Sequence, residues 1–271
     1  MASLAAKAAK GLPKRLPIPG VQHIVLVASG KGGVGKSTIA VNLAAAVASQ
    51  HQEKDVGLLD ADVFGPSIPR MMNLSGSPQT SSQGLLLPLR NFGVKCMSVG
   101  FLVKDEEAVV WRGLRVMQAV ETLLRKVRWG PLDILFVDMP PGTGDVQLSI
   151  TQNVPISGAV IVSTPQEVAL TDAGRAIALF RQVQVPVLGL VENMASFACP
   201  SCGKASRIFG SGEGFRRLAE ETEAPILGEV VLEAGLAGNS DAGQPTVLAR
   251  PESAPAESFR SIAEGVLKQL K

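Results

Sequence analysis

The fold class of this chain follows from one stretch, Gly30-Lys31-Gly32-Gly33-Val34-Gly35-Lys36-Ser37-Thr38, which fits the pattern G-x-x-x-x-G-K-[ST]. An apolar run at residues 24–28 predicts a short buried strand before it, and the Ala-rich residues 38–49 predict a helix after it. A glycine-rich turn in this setting lets backbone amides point at phosphate oxygens, and the helix presents its positive end to the anion. The pattern therefore predicts a P-loop, in which Lys36 reaches the β- and γ-phosphates of a nucleotide and Ser37 binds Mg²⁺. The alternative is a strand-to-helix turn of the same composition without a ligand.

Short apolar runs alternate with helical segments along the rest of the chain. Strands buried on both faces read as continuous apolar runs, which predicts strands at residues 56–59, 134–137, 159–162, 187–191 and 226–231. Helices are predicted at residues 108–127, 167–183, 215–221 and 256–270, with a small hairpin or an interrupted strand at residues 85–89 and 94–99. The alternation predicts an α/β fold, a doubly wound and mostly parallel sheet with helices on both faces. We expect one domain over residues 17–271, because no repeat or linker divides them.

The composition excludes several classes of protein. The 271 residues are 46% hydrophobic and 18% charged, yet no apolar stretch approaches the roughly 18 residues of a membrane-spanning helix. The net charge of +2 is too small to indicate a nucleic-acid partner, and the 4% aromatic content without Tyr argues against stacking on single strands. Three cysteines are too few for a secreted domain stapled by disulfides. We therefore expect no nucleic-acid partner and no stable membrane insertion.

The N-terminal segment is basic and free of acids. No Asp or Glu precedes Glu53, and the opening residues include Lys7, Lys10, Lys14 and Arg15. An acid-poor, basic and Ala-rich opening is typical of an organelle transit peptide. Residues 1–16 are interpreted either as a remnant transit segment or as a flexible N-terminal arm.

Acidic residues follow the predicted strands at the edge where a ligand would lie. In such sheets the ligand binds beyond the carboxyl ends of the strands, and Asp60, Asp62 and Asp138 occupy those ends. Side chains two residues apart in a strand face the same side, so Asp60 and Asp62 can order the water shell of Mg²⁺ and orient an attacking water. N-capping of the next short helix fits Asp62 equally well. Asp138 closes an apolar strand as a Walker B acid does, and residues 139–145 then predict a switch segment that senses the γ-phosphate.

Cys199 and Cys202 form a C-x-x-C pair in a polar loop. Two thiolates at this spacing can hold one side of a metal, but tetrahedral sites need four ligands. Cys96 lies in an apolar stretch and is expected to be buried, so a second chain must supply the other thiolates. Three interpretations stay open: a bridging [4Fe–4S] cluster, a bridging Zn²⁺ and a redox dithiol.

The P-loop resembles that of the deviant Walker A ATPases, whose members include MinD, ParA and the nitrogenase iron protein. The resemblance rests on a second lysine, Lys31, which opens the motif KGGxGK[ST]. It implies that Lys31 crosses a dimer interface to the partner's nucleotide, where a cation stabilises transition-state charge. A solvated loop lysine is the alternative. The same resemblance implies that Asp62 orients water and that Asp60 serves the metal shell.

Further stretches resemble the Mrp/NBP branch of these ATPases, which are iron–sulfur scaffold or carrier proteins. The matching stretches are GLLDADVFGPSIPRM, VVWRGL, FVDMPPGTGDVQLS, VIVSTPQEVALTDA and GLVENM, followed by the cysteine pair. The resemblance implies an ATP-binding homodimer that holds a [4Fe–4S] cluster between its subunits and delivers it to apo iron–sulfur client proteins. It also implies that Asn193 contacts adenine and that ATP hydrolysis is slow.

The length and the N-terminal arm are most similar to those of the mitochondrial members of this branch, which are tied to respiratory complex I assembly. This likeness implies complex I subunits as clients and the mitochondrial matrix as location, with the cytoplasm as the alternative. A ParA/MinD-type positioning ATPase without a cluster is the competing function. It leaves Cys199 and Cys202 without a purpose, and residues 256–271 mix Glu257 and Glu264 with basic residues rather than forming a basic membrane helix.

Overall fold

The computed structural model describes residues 15–102 and 113–270. Residues 1–14, which make up most of the predicted N-terminal arm, lie outside the described residues. The same holds for residues 108–112 at the start of a predicted helix, and with them for the first four residues of the VVWRGL stretch.

Within the described residues, nine strands form one sheet in the order β3-β4-β2-β5-β1-β6-β7-β8, with β9 also paired to β7. The strands are β1 (Val21–Ala28), β2 (Val56–Asp60), β3 (Leu89–Asn91), β4 (Val94–Ser98), β5 (Leu132–Asp138), β6 (Gly158–Ser163), β7 (Val187–Ala198), β8 (Ala205–Ser206) and β9 (Ile226–Leu232). Two pairs, β3 with β4 and β7 with β8, are antiparallel, and the other pairs are parallel. The predicted doubly wound, mostly parallel sheet is confirmed.

Helices cover both faces of this sheet. They are α1 (Lys36–Gln50), α2 (Ile68–Met71), α3 (Gly113–Arg125), α4 (Asp145–Asn153), α5 (Glu167–Gln182), α6 (Glu213–Glu221), α7 (Ala234–Asp241), α8 (Thr246–Ala249) and α9 (Ala254–Gln269). In the part of the chain that the structure describes, none is both long and apolar enough to cross a bilayer.

The core lies in two layers, one on each side of the sheet. Neighbouring side chains of a strand point to opposite faces, so Leu26 packs with the α3, α5 and α6 side while Val25 and Val27 pack with the α1 and α9 side. Because both layers are apolar, the central strands are apolar without alternation. This explains why short continuous runs predicted the strands correctly.

The parallel strands bring the predicted ligand-binding residues to one edge. In the register of the sheet, Asp138 at the end of β5 lies beside Asp60 at the end of β2 and beside Val27 of β1. The loop from β1 to α1 therefore starts next to two buried acids. The fold places the glycine-rich stretch, the switch segment and the acids around one space.

Candidate functional site

The glycine-rich stretch forms a loop around a cavity of about 230 Å³ between β1 and α1. Among the residues that line it are Lys31, Gly32, Gly33, Gly35, Lys36, Ser37, Thr38 and Asp62. A Cβ atom at Gly33 would meet no atom within 4 Å, whereas at Gly35 it would lie 2.2 Å from Nδ2 of Asn193. Both glycines have φ of 81°, a region that favours glycine, so the turn needs both for their conformation and needs Gly35 for space as well. Gly30 faces α5, where a Cβ would lie 2.1 Å from the backbone of Asp172.

Lys36 is the first residue of α1 and is paired with Asp138. Its Nζ donates to Oδ1 of Asp138 and, at 3.3 Å, to Oγ of Ser37. Burial raises the pKa of Asp138, and the Lys36 ammonium opposes that shift. The lysine is 7% exposed and the aspartate is fully buried, so the pair is shielded from solvent screening.

The site has an unused acceptor where a hydrated cation is expected. The second oxygen of Asp138, Oδ2, is buried and accepts no hydrogen bond within the described residues. A buried carboxylate oxygen without a donor is an acceptor for a water of the Mg²⁺ shell, and the Ser37 hydroxyl stands at the predicted Mg²⁺ position of the motif. The residues present therefore fit a nucleotide with Mg²⁺.

Asp60 is held by the protein rather than open to the cavity. Its carboxyl oxygens accept hydrogen bonds at 3.0–3.2 Å from the amides of Asp62, Ser67 and Ile68 and from the hydroxyl of Ser98. Burial and then the neighbouring Asp138 carboxylate raise the pKa of Asp60 to about 8, although these donors favour the charged form. Asp60 thus caps the N-terminus of α2, the role that the sequence suggested as an alternative for Asp62. Its place in the metal shell stays a prediction.

Asp62 and Lys31 lie on the open side of the site. Asp62 is partly exposed and lines the cavity together with Lys31 and Pro141. Lys31 is exposed, and its carbonyl accepts a hydrogen bond from the Ser29 hydroxyl at 2.9 Å. Both side chains are therefore accessible from the cavity, and the roles predicted for them, water orientation by Asp62 and contact with a second subunit by Lys31, stay predictions.

The predicted switch, residues 139–145, links the cavity to α4. The amide of Gly142 donates to the carbonyl of Ser29 at 3.1 Å, which joins the segment to the base of the P-loop. Gln147 of α4 donates to the carbonyl of Pro140 at 2.8 Å. Cβ atoms at Gly142 and Gly144 would meet nothing within 4 Å, so a phosphate can approach this backbone closely.

Asn193 lies in the middle of β7, next to the P-loop. Its Nδ2 donates to the carbonyl of Val34 at 2.8 Å, and the residue is 7% exposed. The side chain of Val34 is buried in the core, so this residue contributes its backbone to the loop. Asn193 thus holds the P-loop through its hydrogen bond to the backbone of Val34. The adenine contact predicted for Asn193 is a separate role and stays a prediction.

The cysteine pair occupies a hairpin between β7 and β8. Phe197 and Ala198 pair with Ser206 and Ala205, the Cys199 amide donates to the Lys204 carbonyl at 3.1 Å, and the Gly203 amide donates to the Cys199 carbonyl at 2.8 Å. Cys199 is partly exposed and Cys202 is exposed.

Backbone amides point at the first of these thiols. Hydrogen bonds from the amides of Ser201 and Cys202 lower the pKa of Cys199. A C-x-x-C turn whose amides face the sulfur is suited to hold a metal on its outer side. Metal binding by Cys199 and Cys202 stays a prediction.

The other candidate ligands lie elsewhere. Cys96 is fully buried in β4, and burial raises its pKa. His51 pairs with Glu264 at 2.5 Å, and His23 lies 3.4 Å from the hydroxyl of Ser157. Across residues 15–102 and 113–270, no group of three or more His, Cys, Asp or Glu side chains is placed to hold a metal. One chain thus offers two thiols.

A set of charged residues near the cysteines was not predicted from the sequence. Arg207 follows β8 and contacts Glu192 of β7 and Glu229 of β9. Glu192 is 1% exposed. The signal in the sequence was an acidic residue directly after the apolar residues 187–191, within the strand β7.

Comparison with known proteins places this architecture in a family. Residues 20–267 match the family model described as ParA: NUBPL iron-transfer P-loop NTPase. The iron-sulfur cluster transfer protein NUBPL of Mus musculus is 57% identical over 97% of this chain and 82% of its own length. The iron-sulfur protein required for NADH dehydrogenase, mitochondrial, of Arabidopsis thaliana is 52% identical over 97% of this chain and 83% of its own.

Solved structures agree with this assignment. The nucleotide-binding protein of Archaeoglobus fulgidus in complex with ADP superposes with a TM-score of 0.75 at 38% identity, covering 89% of this chain and 93% of that one. The cell division ATPase MinD of Pyrococcus furiosus, at 21% identity and a TM-score of 0.69 over 91% of this chain and 98% of its own, shares the fold. The resemblance drawn from the motifs is confirmed. The chain belongs to the ParA-type family of NUBPL iron-transfer P-loop NTPases.

Proposed function

We propose that this chain is an ATP-binding carrier that holds a [4Fe–4S] cluster between two subunits and delivers it to apoproteins during assembly of respiratory complex I. The observation that carries the proposal is the position of the cysteine hairpin. The strand β7 supports the P-loop through Asn193 and ends at Ala198, directly before Cys199, so one strand joins the nucleotide site to the partly exposed Cys199 and the exposed Cys202. A ParA/MinD-type positioning ATPase has no use for that pair.

The P-loop residues act on the nucleotide. Amides of the loop and of the first turn of α1 receive the phosphates, and Lys36 exchanges Asp138 for the β- and γ-phosphates. Ser37 would hold Mg²⁺ and Asp138 would order a water of its shell, and the ion would supply positive charge against the phosphates. Asp62 orients the attacking water. Lys31 from the second subunit contacts the γ-phosphate and stabilises the charge of the transition state. The expected activity is slow ATP hydrolysis.

Two chains are required by the count of thiols. A [4Fe–4S] cube has four iron corners, and the pair Cys199 and Cys202 supplies two ligands. Cys96 is fully buried on a different strand, so it is unsuited to supply a third. A homodimer joined at the hairpins completes the set, and exchange of these thiolates for those of an apo client releases the cargo.

The relatives support the choice of clients and the location. The names of the mouse and Arabidopsis proteins refer to iron–sulfur cluster transfer and to mitochondrial NADH dehydrogenase. We infer action in the mitochondrion, in the matrix, on apo iron–sulfur subunits of complex I.

Transfer to an apoprotein tests the proposal. The full chain is reconstituted anaerobically with iron and sulfide, and the unbound iron and sulfide are then removed. The loaded chain is mixed with an apo [4Fe–4S] ferredoxin in the presence of a strong chelator. We expect the acceptor to gain its cluster faster than from free iron and sulfide, and Cys199→Ala to abolish this. A reconstituted chain without visible absorption, or transfer that survives Cys199→Ala, would contradict the proposal.

A further inference from the structure

Two backbone hydrogen bonds close the hairpin that carries the cysteines, but few backbone contacts attach it to the sheet. The strand β8 has two residues, Ala205 and Ser206, and both are exposed. Each makes one register pair with the end of β7. A two-residue pairing exposed to water does not by itself fix a loop in one position. Another contact must hold the returning leg of the hairpin.

Arg207, the residue after β8, makes that contact. Its Nη2 donates to Oε2 of Glu229 at 2.7 Å, and its Nη1 lies 3.5 Å from Oε2 of Glu192. Glu192 and Glu229 are register partners on β7 and β9, so the guanidinium spans two neighbouring strands of the sheet. One side chain therefore attaches the hairpin to both.

The site is shaped for a guanidinium. Gly212, at the start of α6, covers it, and a Cβ there would lie 2.4 Å from Nη1 of Arg207 and 3.3 Å from Oε1 of Glu192. The absence of a side chain at Gly212 lets the charged group sit between the sheet and α6. A planar fork with several donors suits two carboxylates better than a single ammonium does.

The anchor on the sheet side is rigid and depends on this cation. Glu192 is 1% exposed, and its other oxygen, Oε1, has no hydrogen-bond partner within the described residues. Asn193, the next residue, is fixed by its bond to the P-loop carbonyl of Val34. Burial raises the pKa of Glu192, and the positive charges of Arg207 and of Arg216 in α6 both oppose this rise. Arg207 opposes it more strongly than Arg216 does. Removal of Arg207 leaves the carboxylates of Glu192 and Glu229 facing each other without a cation between them. It also removes the side-chain contact that attaches the hairpin to β7 and β9.

We propose that Arg207 is a positioning residue that fixes the hairpin of Cys199 and Cys202 to the sheet through Glu192 and Glu229, so that both thiols are presented together to a metal. The inference rests on the proposed function, because it assigns the hairpin to metal binding. It predicts that the charge and reach of Arg207 determine the metal affinity of a pair that it does not touch.

Cobalt titration of the full chain tests this. Co²⁺ bound to thiolates gives a charge-transfer absorption in the near ultraviolet, so both affinity and ligand type are measured. We expect Arg207→Gln to weaken Co²⁺ binding about tenfold, the low end of the effect of outer-shell groups on metal affinity. Arg207→Lys, which keeps the charge but not the planar fork, recovers part of the lost affinity. Amide exchange at Cys199 and Gly203 becomes faster in Arg207→Gln, while exchange in β1 is unchanged.

Arg217→Gln is the matched control. Arg217 pairs with Glu167 on the surface at 3.3 Å, and both side chains are more than 60% exposed, so its loss leaves Co²⁺ affinity unchanged. Should Arg207→Gln fail to fold, Glu229→Gln removes the exposed half of the tether and weakens Co²⁺ binding by a smaller factor.

The possible failures are distinguishable. Wild-type affinity in Arg207→Gln, an equal loss in Arg217→Gln, or no recovery in Arg207→Lys would overturn the role of Arg207 and leave the carrier function standing. A wild-type chain without thiolate–Co²⁺ absorption would overturn the carrier function and this inference with it.

Discussion

Substitution of Lys36 by methionine separates the structural role of this lysine from its role in nucleotide binding. The ammonium is paired with Asp138, and the two side chains are 7% and 0% exposed. Methionine keeps the apolar stem but leaves Asp138 as a buried carboxylate without its cation. Breaking a buried ion pair from one side destabilises a protein by about 3–5 kcal/mol. We expect Lys36→Met to fold with its free energy of unfolding lowered by about that amount at neutral pH, and to lose tight binding of ATP with Mg²⁺.

The stability loss should depend on pH with a definite sign. Burial raises the pKa of Asp138 above its ordinary value of 3.8, and Lys36 opposes the shift, so removing Lys36 raises this pKa further. Below the ordinary value the carboxyl is protonated in both the folded and the unfolded chain, and the variant loses little. The unfolded chains of wild type and variant release the proton alike. Above the raised pKa of wild-type Asp138, folded wild type ionises beside Lys36 while the folded variant still retains the proton, so the loss relative to wild type grows as the pH rises from there toward neutrality.

A second substitution isolates the pair. Lys36→Met combined with Asp138→Asn removes the uncompensated charge, so it should recover most of the stability and none of the nucleotide affinity. Urea unfolding at pH 4.5 and 7.5, with nucleotide titration of each folded variant, measures both effects. Equal stability of Lys36→Met and wild type at both pH values would refute the buried pair, and wild-type nucleotide affinity in Lys36→Met would refute its assignment to the phosphates.

Three further substitutions address the other site residues. Lys31→Ala should keep nucleotide binding and lose most of the ATPase turnover, because Lys31 is proposed to contact the partner's γ-phosphate. An unchanged ATPase rate would mean that Lys31 is a solvated loop lysine without a role in hydrolysis. Asp62→Asn should bind ATP and hydrolyse it slowly, since the amide keeps the shape without the carboxylate; full activity would remove Asp62 from the reaction. Asn193→Ala removes the bond to the carbonyl of Val34 and should weaken nucleotide binding about three- to tenfold, the worth of one hydrogen bond. Titration with ATP and GTP checks this: an equal loss for both supports the loop-supporting role, and a loss confined to ATP supports the adenine contact instead.

The sequence predicted the nucleotide side of the site because its chemistry is local. The P-loop is one continuous stretch, and each of its residues is specified by a backbone or phosphate requirement that can be read in order. The predicted helix after it began at residue 38, whereas α1 begins at Lys36, because the last residues of the loop motif are also the first turn of the helix. The apolar strands were predictable because both faces of the sheet are covered.

Contacts between distant segments were not predictable in this way. The strand β7 was expected to end at residue 191, but it continues to Ala198 because Glu192 and Asn193 are buried against partners far along the chain, Arg207 and the P-loop. The capping of α2 by Asp60 rather than Asp62 depends on how the chain turns after β2. The helices α4, α7 and α8 were not predicted from the sequence.

The state of assembly of the cluster-loaded chain tests the central claim most directly. After anaerobic reconstitution, native mass spectrometry measures the mass of the protein and its iron and sulfide content in one experiment. We expect a dimer with a single [4Fe–4S] cluster for wild type and Cys96→Ala, and a cluster-free chain that still binds ATP for Cys199→Ala and Cys202→Ala. A cluster carried by a monomer, or one retained by Cys199→Ala, would contradict the bridging of the cluster by two subunits.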